Sequence, residues 1–205
     1  MNLRLNSLTT ISNAMYEANG LPYHNLIHIN QMVADAQNIL EHCKTEMSDT
    51  LYLAIRYHDV VYDPTRKDNE AKSAALFLRI HEAISPLVFN VPTYDPFHVQ
   101  ALINLTARHL EVLRFGSVLC DEFDARVIMD ADLAGFAGPY EIMASNSHNI
   151  MLENSHVDVE TFTKNRIGFL EAMLKKPQIY YTAFGRREYE EPARANIKRE
   201  LETLL

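Results

Sequence analysis

Glycine and proline are scarce, 6 and 8 in 205 residues. That supply of turn formers is too small for the many tight turns of an all-β chain. Cysteine occurs only twice, at Cys43 and Cys120, without CxxC or ribbon spacing. Free thiols in a reducing compartment are therefore expected, not a disulfide framework. No run approaches the ~18 consecutive apolar residues of a membrane span. The opening stretch, MNLRLNSLTTISNAM, also lacks the apolar core of a signal peptide. A cytoplasmic protein with no membrane partner is the expectation. Basic residues are in deficit, 19 against 27 acidic, giving a net charge of −8. That balance disfavours nucleic acid as a partner but leaves room for a small phosphorylated substrate held locally. Neither a Gly-rich phosphate loop nor a GxSxG elbow is present, so a P-loop nucleotidase and a serine hydrolase are not indicated.

What is present reads as helix after helix. The composition, 47% hydrophobic and 22% charged, is ordinary for a globular chain with a sizeable core. Beyond Pro22, the apolar positions Leu26, Ile29, Met32, Val33, Ala36, Ile39 and Leu40 keep the 3.6-residue period. DTLYLAIRYHDVVYDP is apolar almost all round, as a helix buried in a bundle would be, with Pro64 as its stop. KDNEAKSAALFLRIHEAI offers Asp68 or Asn69 as a cap, and SPLVFNVPTYDPF, with three prolines, is the clearest loop. FHVQALINLTARHLEVL resumes the helical period as far as Leu113. EFDARVIMDADLAGFAGPY predicts a short helix running into a turn at Gly135 and Gly138. Further helices are predicted over roughly 139–153, 157–176 and 188–205. With no repeat or linker, the chain predicts one all-α, single-domain helical bundle over 1–205. Its site-bearing core would cover about 21–140, with helices of 141–205 packed on it.

Polar groups interrupt the apolar segments at three places. YHNLIH carries His24 and His28 four apart, and RYHDVVYDP sets the pair His58-Asp59 in the most apolar segment. VIMDADLAGFA places Asp130 and Asp132 in a third. A buried unpaired carboxylate costs several kcal/mol, so Asp59 needs a cation or strong donors beside it. A hydrogen-bonded Asp–His pair in a polar core would satisfy that need for the dipeptide alone. Taken together, the three places supply a mixed nitrogen and oxygen ligand set, which suits a divalent transition metal.

The ordered pattern H…HD…D resembles the HD superfamily of metal-dependent phosphohydrolases. The resemblance is closest to a bacterial group described only as predicted enzymes of that kind. It runs through YHNLIHI, RYHDVVYDP, DNEAKSA, LTARH, DADLAGFAG and EEPARANIKREL. It implies metal ligands His28, His58, Asp59 and one aspartate of DAD, with Asp132 favoured over Asp130. It also implies hydrolysis of a phosphomonoester or phosphodiester bond, in a nucleotide, by metal-activated water. In cyclic-nucleotide phosphodiesterases, distant relatives, a similar YHNxxH segment uses its first histidine as general acid. His24 is accordingly a catalytic candidate, and the alternative is that it only orients another group.

Stringent-response hydrolases read HDxxED where this chain reads HDVVYD. Tyr62 thus replaces the first acid, and Asp63 is kept as a candidate for orienting water. Glu70 is a further candidate acid, and His109 a candidate substrate-binding residue three positions from Thr106. Arg194 and Asn196 match the closing motif and are read as bracing the terminal helix. The metal is manganese, iron, cobalt, nickel, zinc or magnesium, in a site for one ion or two. A monomer and a homo-oligomer are equally compatible with the sequence. The alternative function is a regulatory HD module that binds metal or nucleotide without catalysis.

Overall fold

A computed structural model describes residues 3–85, 92–113 and 122–205. Ten α-helices and the 3-10 turn that follows α6 are the main regular elements among the described residues, where no strand occurs. The helices are α1 (Leu3–Asn19), α2 (Leu26–His42), α3 (Asp49–Tyr57), α4 (Asn69–Ile84) and α5 (Pro96–Thr106). They continue with α6 (Glu122–Leu133), α7 (Tyr140–Glu153), α8 (Val159–Lys175), α9 (Ala183–Glu188) and α10 (Glu190–Leu204). The 3-10 turn, Ala134–Ala137, follows α6 directly. Among the described residues, no helix is long and apolar enough to cross a membrane. Cys43 is a free thiol. Cys120 lies outside the described residues, as do 86–91 of the three-proline segment and 114–121.

The centre of the larger core is α3, whose Leu51, Leu53, Ala54, Ile55 and Tyr57 are all fully buried. Burying each large side chain contributes about 1.5–3 kcal/mol, and nine residues would not hold a helix without such packing. Around it lie α1, α2, α5 and α6, with α4 against α5. A smaller core joins Leu133 and Met143 to Leu170, Met173, Ile179, Tyr180, Ala193 and Ile197.

Asp130 ties the two cores together. Its buried carboxylate accepts the backbone N–H groups of Tyr181 (2.6 Å) and Thr182 (2.8 Å). Gly185 lets this junction close, because a Cβ there would lie 2.9 Å from the Tyr180 Cβ and overlap the Asp130 carboxylate.

Several helix ends differ from the sequence expectation. Pro64 does not end α3; the helix stops at Tyr57, with His58 as its C-cap residue. Side chains of α4 take over the backbone beyond it. Ser73 Oγ accepts the Val61 N–H, and the Asn69 amide binds both the N–H and the carbonyl of Asp63. The His58-Asp59 pair therefore leaves the helix instead of lying within it. Helix α5 ends at Thr106, short of the apolar period, and Leu110 is exposed. Pro96, expected in the loop, is the first residue of α5, capped by Asp95 Oδ1.

Candidate metal centre

Four chain segments deliver the site. Asn25 caps α2: its Oδ1 accepts the Ile27 N–H, and its amide donates to the carbonyls of Leu21 and Pro22. This cap fixes His28 in the first turn of α2. His24 precedes the helix, so the pair does not share a helical face as its spacing suggests. The two rings nevertheless meet edge to face with centroids 6.2 Å apart. The turn after α3 brings His58 and Asp59, and the last turn of α6 brings Asp132.

One nitrogen each of His28 and His58 and one oxygen of Asp132 lie within 4.8 Å of one another. Asp132 Oδ1 is 3.4 Å from His28 Nε2 and 3.6 Å from His58 Nε2. Ligands about 2.0–2.1 Å from a shared tetrahedral ion would be separated by about 3.4 Å. The three side chains could therefore hold a metal ion. Orientation supports the same conclusion. The Nδ1 of His58 meets the Ile55 carbonyl at 3.0 Å, which directs Nε2 into the cluster. That Nε2 is buried, 2.8 Å from Asp59 Oδ2 and 3.6 Å from Asp132 Oδ1, without a well-aligned hydrogen bond to either. A buried ring nitrogen held between two carboxylates suits coordination of a cation shared with them.

Asp59 stands beside this trio, its Oδ2 also 3.8 Å from His24 Nε2. Of the two aspartates in DAD, Asp132 faces the histidines, and Asp130 is committed to the Tyr181–Thr182 backbone.

The electrostatics show charges bound to one another. Burial opposes ionisation of Asp132, but the His58 charge and hydrogen bonds from His109 and His28 hold its carboxyl well below the usual range. Asp59 is lowered similarly, against its burial, by His58 and His24. Burial also opposes protonation of His58, yet the two aspartates outweigh it and raise its pKa.

The cluster lines a cavity of about 240 Å³. His24, Glu70, Thr106 and His109 share its wall. His109 sits in the turn beyond α5, not on a helical face with Thr106, and its Nε2 meets Asp132 Oδ2 at 2.7 Å. The buried Lys176 ammonium holds that turn through the His109 carbonyl at 2.5 Å. The candidate substrate-binding residue is thus directed at the Asp132 carboxylate. Asp63 is not brought to the cavity: its Oδ1 accepts the backbone N–H and hydroxyl of Thr65, and these bonds lower its pKa. His42, His81, His98, His148 and His156 lie outside the cavity wall.

Glu153, the last residue of α7, had no motif to announce it. Its Oε1 accepts the backbone N–H groups of Tyr23 (2.7 Å) and His24 (2.8 Å). Its Oε2 lies 2.6 Å from His24 Nδ1. Burial would raise this carboxyl, but the His24 bonds hold it below its ordinary value. Tyr62, where the acid of HDxxED is missing, stacks on the His24 ring at 3.5 Å. The closing motif braces the site at a distance. Arg194 donates to the carbonyls of Leu174 and Lys176, and Asn196 to those of Phe136 and Gly138.

No family model, curated protein or solved structure matches the chain.

Proposed function

We propose that this protein is a metal-dependent phosphohydrolase acting on a phosphomonoester or phosphodiester, with a nucleotide as substrate. The observation that carries the reading is the convergence of His28, His58 and Asp132, whose ligand atoms lie within 4.8 Å of one another in the cavity wall. A divalent ion there supplies Lewis acidity toward a phosphoryl oxygen and lowers the pKa of water. Asp59, beside His58, completes the expected ligand set.

The rest of the chemistry falls to the protein. His24 moves the proton: with Nδ1–H directed to Glu153, its Nε2 faces the ligand side of the cavity. The Glu153 carboxylate fixes that tautomer and stabilises the imidazolium once Nε2 is protonated. Stacking on Tyr62 limits rotation of the ring. His109 holds Asp132, and Glu70 offers a second carboxylate at the cavity wall.

Elemental analysis of the purified protein, beside His58→Ala, tests the reading. About one ion per chain in the wild type and loss in the variant are expected, together with phosphate release from a panel of nucleotides. No uptake of manganese or zinc by either protein would overturn it. Uptake without turnover of any phosphoester would instead leave a metal-binding regulatory module.

A further inference from the structure

Besides the metal ligands, the cavity wall includes residues of the 3-10 turn, α7 and α8: Phe136, Met143, Asn146, Ile150, Arg166 and Phe169. The Phe136 and Phe169 rings are stacked with centroids 6.3 Å apart, and the Arg166 guanidinium lies 5.6 Å from each. Two polar groups in this wall lack a hydrogen-bond partner among the described residues. The Asn146 amide makes no hydrogen bond among the described residues. Arg166 uses Nε and Nη2 on the Glu200 carboxylate (3.0 and 3.1 Å) and Nη2 on Ser147 (2.7 Å), which leaves Nη1 without one.

The charge balance narrows what fits. Arg166 is the only lysine or arginine among the described residues that line the cavity. Its buried partner Glu200, only 5% exposed at the side chain, offsets the charge. The subsite therefore offers aromatic faces and directed N–H groups but little net positive charge. That chemistry suits an uncharged planar heterocycle with a ring acceptor and is poorly matched to further phosphates.

We propose that this part of the cavity wall, through Phe136, Phe169, Asn146 and Arg166, binds the base of a nucleoside monophosphate. The inference rests on the phosphohydrolase reading for where the phosphate lies. It predicts that the base, not a polyphosphate chain, sets substrate preference.

Calorimetry on the full chain incubated with manganese, using guanosine, adenosine, cytidine and uridine 5′-monophosphates against ribose 5-phosphate, tests it. These ligands share phosphate and sugar and differ in the base. At least one nucleotide should bind about tenfold tighter than ribose 5-phosphate, the amount expected from one stacked base. Asn146→Ala breaks no bond within the protein, and Arg166→Lys keeps a cation opposite Glu200. Each removes one directed N–H contact and should lower the affinity ratio about threefold or more while leaving ribose 5-phosphate binding unchanged. If no nucleotide binds tighter than ribose 5-phosphate, the subsite is overturned. Phosphate release is scored separately. Tight, base-dependent binding without release would sink the hydrolase reading alone, and equal release from all five ligands with equal affinities would sink the subsite alone.

Discussion

Replacing Glu153 by glutamine separates the proton-transfer role of His24 from the structural role of the same contact. The glutamine oxygen can keep the backbone N–H groups of Tyr23 and His24, which Oε1 now accepts at 2.7 and 2.8 Å. The amide nitrogen then faces His24 Nδ1, in place of the carboxylate oxygen at 2.6 Å. An N–H group cannot accept from Nδ1–H, so the ring must shift its proton to Nε2 or lose the bond. Charge-assisted hydrogen bonds contribute about 1.5–3 kcal/mol each, and two survive in neutral form, so the stability cost is about 1–3 kcal/mol. At about 2–4 °C per kcal/mol for a chain of this size, the melting temperature falls measurably without loss of the fold.

The catalytic cost is larger. Proton transfer by a positioned group contributes about 10²–10⁴-fold, and the wrong tautomer forfeits it. The expected result is a fall in kcat of that size with KM and metal content unchanged, and a pH–rate profile missing one limb. Stability provides a second check. The folded-state pKa of Glu153 is depressed below 4.5. Its contribution is therefore complete above that value and lost as pH falls through the folded pKa. The gap in melting temperature between wild type and Glu153→Gln should accordingly close on acidification below about pH 4.5. A variant with kcat within threefold of wild type, or an intact pH–rate profile, would refute the role assigned to His24.

Two further outcomes follow from the geometry. Manganese at about 100 times its dissociation constant should stabilise the fold by about 2.7 kcal/mol, raising the melting temperature by several degrees. A His28→Ala protein that kept this shift in differential scanning fluorimetry would place the ion elsewhere. Gly185→Ala should cost about 1–3 kcal/mol by overpacking, because the new methyl meets Tyr180 and the Asp130 carboxylate. Chemical denaturation reads that cost, and an unchanged midpoint would show that the junction is looser than drawn.

Most helices were legible because their apolar residues recur at the helical period. Helix α2, with Ile29, Met32, Ala36, Ile39 and Leu40 buried, is the clearest case. Where the period is hidden, no helix was anticipated. Helix α1 buries Arg4, Leu8, Ser12 and Tyr16, so half of its inward stripe is polar. Helix α9, with six residues, is too short to display a period. The opposite error occurred after Thr106 and after Tyr57. There the apolar pattern outlasts the helix, because local hydrogen bonds or neighbouring side chains claim the backbone.

The chain's order of residues determined the helical class and the supply of histidines and aspartates able to ligate an ion. Both depend on residue type and near-neighbour spacing. Long-range packing decided the rest. Glu153 reaches His24 across 129 positions, and Arg166 reaches the cavity from α8 because Glu200, 34 positions on, holds its fork. Neither contact has a periodic or motif signature. Both arise only when separate helices close on one core and bring distant charges within hydrogen-bond range.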